Sequence, residues 1–339
     1  MSRSVTIFDV AERAHVSPAT VTHALNGKRP VGAETKTRIM DAIRDLGYVS
    51  SWENSKEKAK SHKVIGCLAA DITESFANQI VRGIEEGIPG GEYSLLFASS
   101  IEFGNDLARA YDFLKSRSVS GMLFCIHIPF TEVYHLPGTD AGIPLISVNM
   151  RMNNPNIVSI VTDNVNAGYR AAEHLYSCGM RHPAILCGPQ NRISAADRLA
   201  GFSCKLKELD MKLPDTVYYG GYTFEHGYQD VARLMDAYPE TDGIFCENDY
   251  IAAGCITRLH EKGIEVPGQV RVLGFDDRDF SGFWTPGIST FYQPLREMGF
   301  MGIGLLKTMI AAGQSTQKEY VLQPRLIPRG STVSGWKNN

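Results

Sequence analysis

The fold at the start of this chain is decided by the stretch Ser17-Pro18-Ala19-Thr20-Val21-Thr22-His23-Ala24-Leu25-Asn26-Gly27. Serine is a favoured helix cap, and Pro18 suits the first helical position because no backbone N–H is needed there. The pair Asn26-Gly27 is a turn signal that stops a helix. The stretch therefore predicts a short helix that begins at Pro18 and runs to about Leu25.

Two further helices flank this one. Thr6 is expected to cap a helix over residues 7–14, in which apolar side chains recur at helical spacing, and a third helix is expected from about Glu34 to Leu46, ended by Gly47. Two helices joined by a very short turn and supported by a third form the helix-turn-helix arrangement of DNA-binding proteins. Residues 1–48 are therefore predicted to be a small all-α helix-turn-helix domain.

Charge is distributed unevenly along the 339 residues, whose net charge is −3. Residues 1–63 contain 11 lysines and arginines against 7 acidic residues, a net charge of +4, which leaves −7 for residues 64–339. A basic N-terminal part on an acidic body suits a nucleic-acid-binding module joined to another domain. Residues 49–63 show no sustained apolar face, so they are interpreted as a hinge or linker.

From Val64 onward, short apolar strands alternate with amphipathic helices. The predicted strands form two series, Val64–Ala69, Tyr93–Phe97, Gly121–Phe124 and Pro144–Val148, then Ala184–Cys187, Thr216–Tyr219, Gly243–Cys246 and Val270–Gly274. This spacing is typical of βαβ units and predicts parallel sheets with helices on both faces. Two series imply two doubly wound α/β subdomains, with a ligand cleft beyond the carboxyl ends of their strands.

Composition and motifs argue against several other classes. Hydrophobic residues make up 43% of the chain, and neither a signal peptide nor a stretch of about 18 apolar residues occurs, so a cytoplasmic protein without membrane contact is expected. The seven cysteines form no C-x-x-C pair, and neither a disulfide, a metal nor a cofactor is expected. No catalytic motif or catalytic residue is found, and the run Gly299–Gly304 is interpreted as helix packing.

The residues resemble those of a known family. The stretches Thr6–Ala11, Val16–Gly27 and Gly47-Tyr48 look like the headpiece of the lactose/galactose repressor (LacI/GalR) family, and further matches continue in the same order to Pro324–Arg329. The resemblance implies a homodimeric, allosteric repressor with a sensor similar to periplasmic sugar-binding proteins. It also implies that the chain crosses between the subdomains, with the first over about 64–162 and 292–323 and the second over about 163–291 and 324–339.

The resemblance assigns DNA-binding roles to headpiece residues. Pro18, Ala19 and His23 match positions that read bases, and the positions that bind phosphates are matched by Thr6, Thr20, Thr22, Asn26 and Tyr48. Pro18 and Ala19 have no hydrogen-bonding side chain, so His23 is expected to be the main polar reader of operator DNA. The alternative is that His23 is an exposed surface histidine.

The resemblance also assigns an effector site in the sensor. The residues that match known ligand contacts are Phe76 in the first subdomain and Arg192, Ser194, Arg198, Tyr222, Asn248 and Asp276 in the second. Their donors, acceptors and flat rings suit a polyhydroxylated or heterocyclic ligand such as a sugar, a sugar derivative or a purine. A structural ion pair between Arg198 and Asp276 is the alternative role for that pair. Asn149 stands where the family usually has aspartate, which removes one charge from the cleft.

The linker departs from the family pattern. The family usually has a Pro-Asn pair and then a leucine that wedges into the minor groove, whereas this chain has Ser50, Ser51 and Glu57 at those positions. A carboxylate does not serve as an apolar wedge, so weaker bending of the operator is expected. Either Trp52 replaces the wedge, or the nearby lysines neutralise phosphates, or the segment is a solvated linker.

Three other functions are weighed against a regulator with a small-molecule effector. Doubly wound α/β domains host many enzymes, so an α/β enzyme is one alternative. A binding protein for uptake is another, but it would leave the helix-turn-helix unexplained. The third is a regulator controlled by a protein partner in carbon-catabolite fashion, and nothing in the sequence decides between that and effector control.

Overall fold

The computed structural model of this protein describes residues 5–26, 30–48, 63–69, 75–104, 106–125, 142–152, 154, 156–313 and 317–335. The chain forms two compact units, residues 1–63 and residues 64–339. Apart from Lys63, the predicted linker lies outside the described residues. The predictions made for Ser50, Ser51, Trp52 and Glu57 therefore lie outside them as well.

The first unit contains the predicted helices, each within one residue of its expected bounds: α1 (Ile7–Arg13), α2 (Pro18–Asn26) and α3 (Ala33–Leu46). Ser17 caps α2 as predicted, because its hydroxyl oxygen accepts the backbone N–H of Thr20 at 3.1 Å. Gly47 ends α3 in the left-handed conformation with φ +62°. The helices close a small core made of Val10, Ala11, Ala14, Val21, Ile39 and Ala42.

The second unit begins with a largely parallel sheet. Its strands in chain order are β1 (Lys63–Ala69), β2 (Tyr93–Ser99), β3 (Gly121–Cys125), β4 (Leu145–Val148), β5 (Ile157–Thr162) and β11 (Glu319–Leu322), arranged in space as β11-β5-β4-β3-β1-β2. Its helices are α4 (Ser75–Glu86), α5 (Leu107–Ser116) and α10 (Leu295–Ala312). β5 was not among the strands predicted from the sequence; all six of its residues are buried, but Ser159 and Thr162 interrupt the apolar run.

A second parallel sheet forms the other subdomain. Its strands are β6 (Pro183–Cys187), β7 (Tyr218–Tyr219), β8 (Gly243–Cys246) and β9 (Arg271–Leu273), in the order β7-β6-β8-β9. Its helices are α6 (Asn164–Ser177), α7 (Ile193–Glu208), α8 (Phe224–Ala237) and α9 (Asp249–Glu261). An antiparallel pair, β10 (Thr290–Tyr292) with β12 (Arg325–Ile327), completes this subdomain. The strand predicted over 216–219 is reduced to its last two residues.

The chain passes between the two sheets at residues 162–164, 292–295 and 322–325. β11, which follows α10 in the chain, pairs in parallel with β5 of the first sheet, with Glu319 opposite Ser159. Because these crossings lie next to one another, residues at the ends of β5 and β10 meet although they are far apart in sequence. This arrangement positions the candidate ligand site.

Glycines allow pairs of helices to touch backbone to backbone. A Cβ atom built on Gly168 of α6 would lie 2.0 Å from the carbonyl oxygen of Arg198 on α7, and one built on Gly201 would lie 1.8 Å from that of Val165. Similar contacts join α8 with α9 and α4 with α10, where the glycines are Gly227, Gly254, Gly83 and Gly299. The packing role predicted for the run Gly299–Gly304 is therefore confirmed at Gly299.

Candidate functional sites

The predicted DNA-reading residues share one side of α2. Val21 is fully buried, whereas Ala19 and Thr22 are exposed and Pro18, Thr20 and His23 are partly exposed. The hydroxyl of Thr22 donates to the carbonyl oxygen of Pro18 at 3.0 Å, so its proton is engaged in a hydrogen bond within α2. The side chain of Asn26 lies outside the described residues. Thr6 is exposed at the start of α1, and Tyr48 packs against the headpiece core.

Arg198 forms the centre of a buried polar cluster in the sensor. It is only 4% exposed, and its Nη1 donates to Oδ1 of Asn164 at 2.9 Å while Nη2 donates to the Tyr222 hydroxyl at 3.2 Å. The guanidinium carbon lies 4.4 Å from the ring centre of Phe275. The guanidinium is therefore held in place by an amide, a hydroxyl and an aromatic face.

The ion-pair partner of Arg198 among the described residues is Glu247, with Nη2 and Oε2 3.8 Å apart. Asp276 pairs instead with Arg278, at 3.4 Å between Oδ2 and Nε. The alternative of a direct structural ion pair between Arg198 and Asp276 is therefore wrong. The reason lies in the topology: Glu247 directly follows β8 at the centre of the sheet, which places its carboxylate nearer to the guanidinium.

Glu247 lies in the polar cluster but was not among the residues predicted from the sequence. Its side chain is fully buried, Oε2 accepts the backbone N–H of Gly188 at 2.8 Å, and Oε1 makes no hydrogen bond within the described part of the chain. Burial raises the pKa of Glu247 to about 7, against the lowering effect of the Arg198 charge. A charged residue directly after an apolar strand was the signal available in the sequence.

Asn248 and Tyr222 hold each other in position. Asn248 caps α9, because its Oδ1 accepts the backbone N–H of Ile251 at 2.8 Å, and its Nδ2 donates to the carbonyl oxygen of Tyr222 at 3.2 Å. The ring of Tyr222 lies against Gly188, where an added Cβ would come within 2.2 Å of it. Asn248 thus places the tyrosine hydroxyl beside Arg198.

Asp276 is connected to the first subdomain through Gln293, a second residue that was missed. Gln293 is 4% exposed; its Nε2 donates to Oδ1 of Asp276 at 2.6 Å, and its Oε1 accepts the Thr162 hydroxyl at 2.9 Å. Thr162 also lies 3.2 Å from Oδ1 of Asn149. Burial raises the pKa of Asp276, whose backbone adopts φ +109°. This chain of hydrogen bonds crosses between the subdomains.

Arg192 and Ser194 line a cleft between the two subdomains. Its walls consist of Asn149, Met150, Arg151, Val161 and Thr162 from the first and of Asn164, Arg192, Ile193, Ser194 and Asp197 from the second. The cavity between them has a volume of about 40 Å³. The walls therefore stand nearly in contact, and a sugar-sized ligand requires them to separate. The side chain of Phe76 lies outside the described residues.

These features define a helix-turn-helix protein with a two-subdomain sensor. Residues 6–51 match the family model of bacterial regulatory proteins of the lacI family, and residues 172–332 match that of the periplasmic binding protein-like domain. The chain therefore combines a DNA-binding domain of the lacI family with a periplasmic binding protein-like domain, the combination that the LacI/GalR resemblance implies. None of the helices among the described residues has the length and apolar character needed to cross a membrane.

Relatives match over nearly the whole chain. The transcriptional regulator RegA of Clostridium saccharobutylicum is 29% identical over 335 residues, which cover 97% of this chain and 100% of RegA. The transcriptional repressor PurR of Haemophilus influenzae is 29% identical over 335 residues, with 97% and 99% covered.

Solved structures show the same architecture. The CelR–cellobiose complex is 25% identical with a TM-score of 0.70 and covers 96% of this chain and 99% of its own. A LacI family regulator from Enterococcus faecium with bound ribose is 26% identical with a TM-score of 0.67, covering 80% and 98%. The lac repressor dimer bound to operator shares the fold at 24% identity and a TM-score of 0.71, covering 98% and 100%.

Proposed function

We propose that this chain is a transcriptional repressor that binds operator DNA as a homodimer and responds to a small-molecule effector in the cleft between its sensor subdomains. The observation that carries the proposal is the buried Arg198 cluster beside that cleft, in a chain that also has a helix-turn-helix. The names of PurR and RegA support the regulatory role, and the sugars in the CelR and Enterococcus faecium structures support effector control over control by a protein partner.

The proposal assigns each group of residues one task. Pro18, Ala19 and His23 contact base edges, and contacts to phosphates come from Thr6, Thr20, Thr22, Asn26 and Tyr48. The effector contacts are Arg192, Ser194, Arg198, Tyr222 and Asp276, with Phe76 from the first subdomain. Asn248 acts by placing Tyr222, because both polar atoms of its side chain are engaged within the protein. No enzymatic step is assigned, and the protein acts in the cytoplasm.

Selection from a random duplex DNA library tests the operator-binding half of the proposal. We expect an enriched near-palindromic site, because a two-fold dimer presents its recognition helices to two equivalent half-sites. Affinity should fall with salt by roughly 0.9 log unit per log unit of salt for each phosphate contacted. If the selected DNA molecules share no common sequence, the operator-binding half of the proposal is wrong.

Thermal unfolding in the presence of sugars, sugar phosphates and purines tests the effector-binding half. A ligand at 100 times its dissociation constant stabilises the folded chain by about 2.7 kcal/mol. The stabilising compound should also change operator affinity, and Arg198→Gln should abolish its effect. Stabilisation that survives Arg198→Gln would place the ligand elsewhere and contradict the site.

A further inference from the structure

Two arginines face the cleft from opposite walls. Arg151 follows β4 in the first subdomain, and Arg192 directly precedes α7 in the second; both line the cleft. Arg151 was not among the effector residues predicted from the sequence. Guanidinium groups keep their charge at any physiological pH and present planar donors that fit carboxylates and phosphates. The composition of the walls therefore bears on the charge of the ligand.

Arg151 is held by one carboxylate and presents its remaining edge to another. Its Nε and Nη2 each donate to an oxygen of Glu319 at 2.9 Å, which fixes the guanidinium plane. Its Nη1 lies 3.5 Å from Oδ2 of Asp197, which comes from α7 in the opposite wall. That distance is longer than a good hydrogen bond, so the edge that Asp197 faces is suited to an anionic group that approaches more closely.

The start of α7 adds to the positive potential on the second wall. The 16-residue helix has no side-chain cap and no acidic residue in its first turn. Its first backbone N–H groups have no partner within the helix, and the helix dipole favours negative charge at this end. Next to it, Nε of Arg198 is buried and makes no hydrogen bond within the described part of the chain. The start of α7 therefore contributes positive potential to the second wall.

Two of the carboxyl groups nearby, those of Asp197 and Glu247, do not balance this charge firmly. Burial raises the pKa of Asp197, although Arg151 and Arg198 act in the opposite direction. Burial also raises the pKa of Glu247 to about 7. Asn149 adds no charge to the first wall. These two acidic side chains thus lose their charge more readily than ordinary carboxyls, whereas the arginines do not lose theirs.

We infer that the effector is an anionic sugar derivative whose carboxylate or phosphate binds between Arg151, Arg192 and the N-terminus of α7. Its hydroxyl groups are matched by the amide and hydroxyl side chains of the walls, namely Asn149, Thr162, Asn164 and Ser194. The anionic group takes the place that Asp197 holds against Arg151, which lets the walls separate around the ligand. The inference rests on the proposed effector site and specifies the class of compound that the site selects.

Thermal unfolding of the full chain with matched sugars tests the inference. The probes are D-gluconate, D-glucuronate and D-glucose 6-phosphate, compared with neutral D-glucose and D-ribose at the same ionic strength. We expect at least one anionic compound to raise the Tm by several degrees, while the neutral sugars do not. The comparison of carboxylates with the phosphate identifies which anion the site takes.

Three variants link the effect to the named residues. Arg151→Gln should weaken binding of the anionic compound by roughly 10- to 100-fold, because a charge-assisted hydrogen bond is lost. Asp197→Asn should strengthen binding, because it removes the competing carboxylate and leaves both arginines in place. Arg233→Gln is the control, since Arg233 is an exposed arginine on α8 in an ion pair with Asp230, outside the cleft.

Three outcomes would overturn the inference. The first is that neutral sugars raise the Tm to the same extent as the anionic ones, and that Arg198→Gln abolishes this effect. This result would support the proposed effector site but exclude an anionic effector. No stabilisation by any anionic probe, or stabilisation unchanged in both Arg151→Gln and Asp197→Asn, would also refute the class. Operator selection is independent of these results, so the DNA-binding role is judged separately.

Discussion

His23 and Asn26 belong to the same helix but should contribute differently to operator binding. His23 is partly exposed on α2 and offers a ring nitrogen to a base edge. We expect His23→Ala to change the preferred base at one half-site position, by about 1–3 kcal/mol for the favoured base. Asn26→Ala should weaken binding to all sequences alike, since a phosphate contact carries no base preference. Binding to a set of half-site variants measures both; equal losses on every sequence for the two variants would remove His23 from base reading.

Glu247 makes stability depend on pH in a defined direction. Its folded-state pKa is raised from 4.5 to about 7, so the folded state holds a proton that the unfolded state releases as pH rises from about 4.5 to 7. Stability is therefore lost over that window and not regained above it. We expect Glu247→Gln to unfold at a Tm that exceeds that of the parent increasingly between pH 5 and pH 7.5. Asp249, whose pKa is also raised to about 7, is unchanged in both proteins and cancels in the comparison. A difference in Tm between the variant and the parent that is constant with pH would show that Glu247 does not carry this proton.

Pairs of helices are held together by glycine contacts, and α10 offers a matched test. Gly168→Ala places a methyl group 2.0 Å from the Arg198 carbonyl oxygen, so α6 and α7 must move apart, whereas Gly304 has no atom within 4 Å of its added Cβ. We expect Gly168→Ala to destabilise the chain by about 1–3 kcal/mol or more and Gly304→Ala to be neutral or to stabilise it by up to about 1 kcal/mol. Urea unfolding measures both. Because α7 carries Arg198, ligand binding should also weaken in Gly168→Ala; equal stability of the two variants would contradict the packing described.

Coupling between the sensor and DNA depends on the whole molecule. Asp276 is linked through Gln293 to Thr162 of the first subdomain, so its loss removes a contact that connects the two subdomains. A ligand shifts such an equilibrium only through its different affinity for the two states, typically 1–3 kcal/mol. We expect Asp276→Ala to bind operator normally without effector and to lose the response to it, since residues 1–63 form a separate unit. Operator titrations with and without effector provide the measurement. Loss of operator binding in the absence of effector would assign Asp276 a structural role instead.

Local features of the sequence were sufficient to predict the headpiece and most strands. The cap at Ser17, the stop at Gly47 and the helical spacing of apolar residues act over a few positions, and the three helices fall within one residue of expectation. Most of the buried strands in both sheets were predicted as apolar runs, because parallel strands are buried on both faces. Four strands, β5, β10, β11 and β12, were not predicted; in β5 two hydroxyl residues interrupt the apolar run.

The site depends on contacts between residues that are distant in sequence. Arg151 and Glu319 are separated by 168 positions and Thr162 and Gln293 by 131, yet both pairs are hydrogen-bonded. From the sequence alone, Glu247 could not be distinguished from Asp276 as the ion-pair partner of Arg198. The order of strands in the sheet determines which carboxylate lies nearer to the guanidinium. Local propensity and periodicity carry no information about such pairs. Such pairs form only where the crossings of the chain bring the ends of strands together. Burial at these strand ends shifts the pKa of the ionisable side chains.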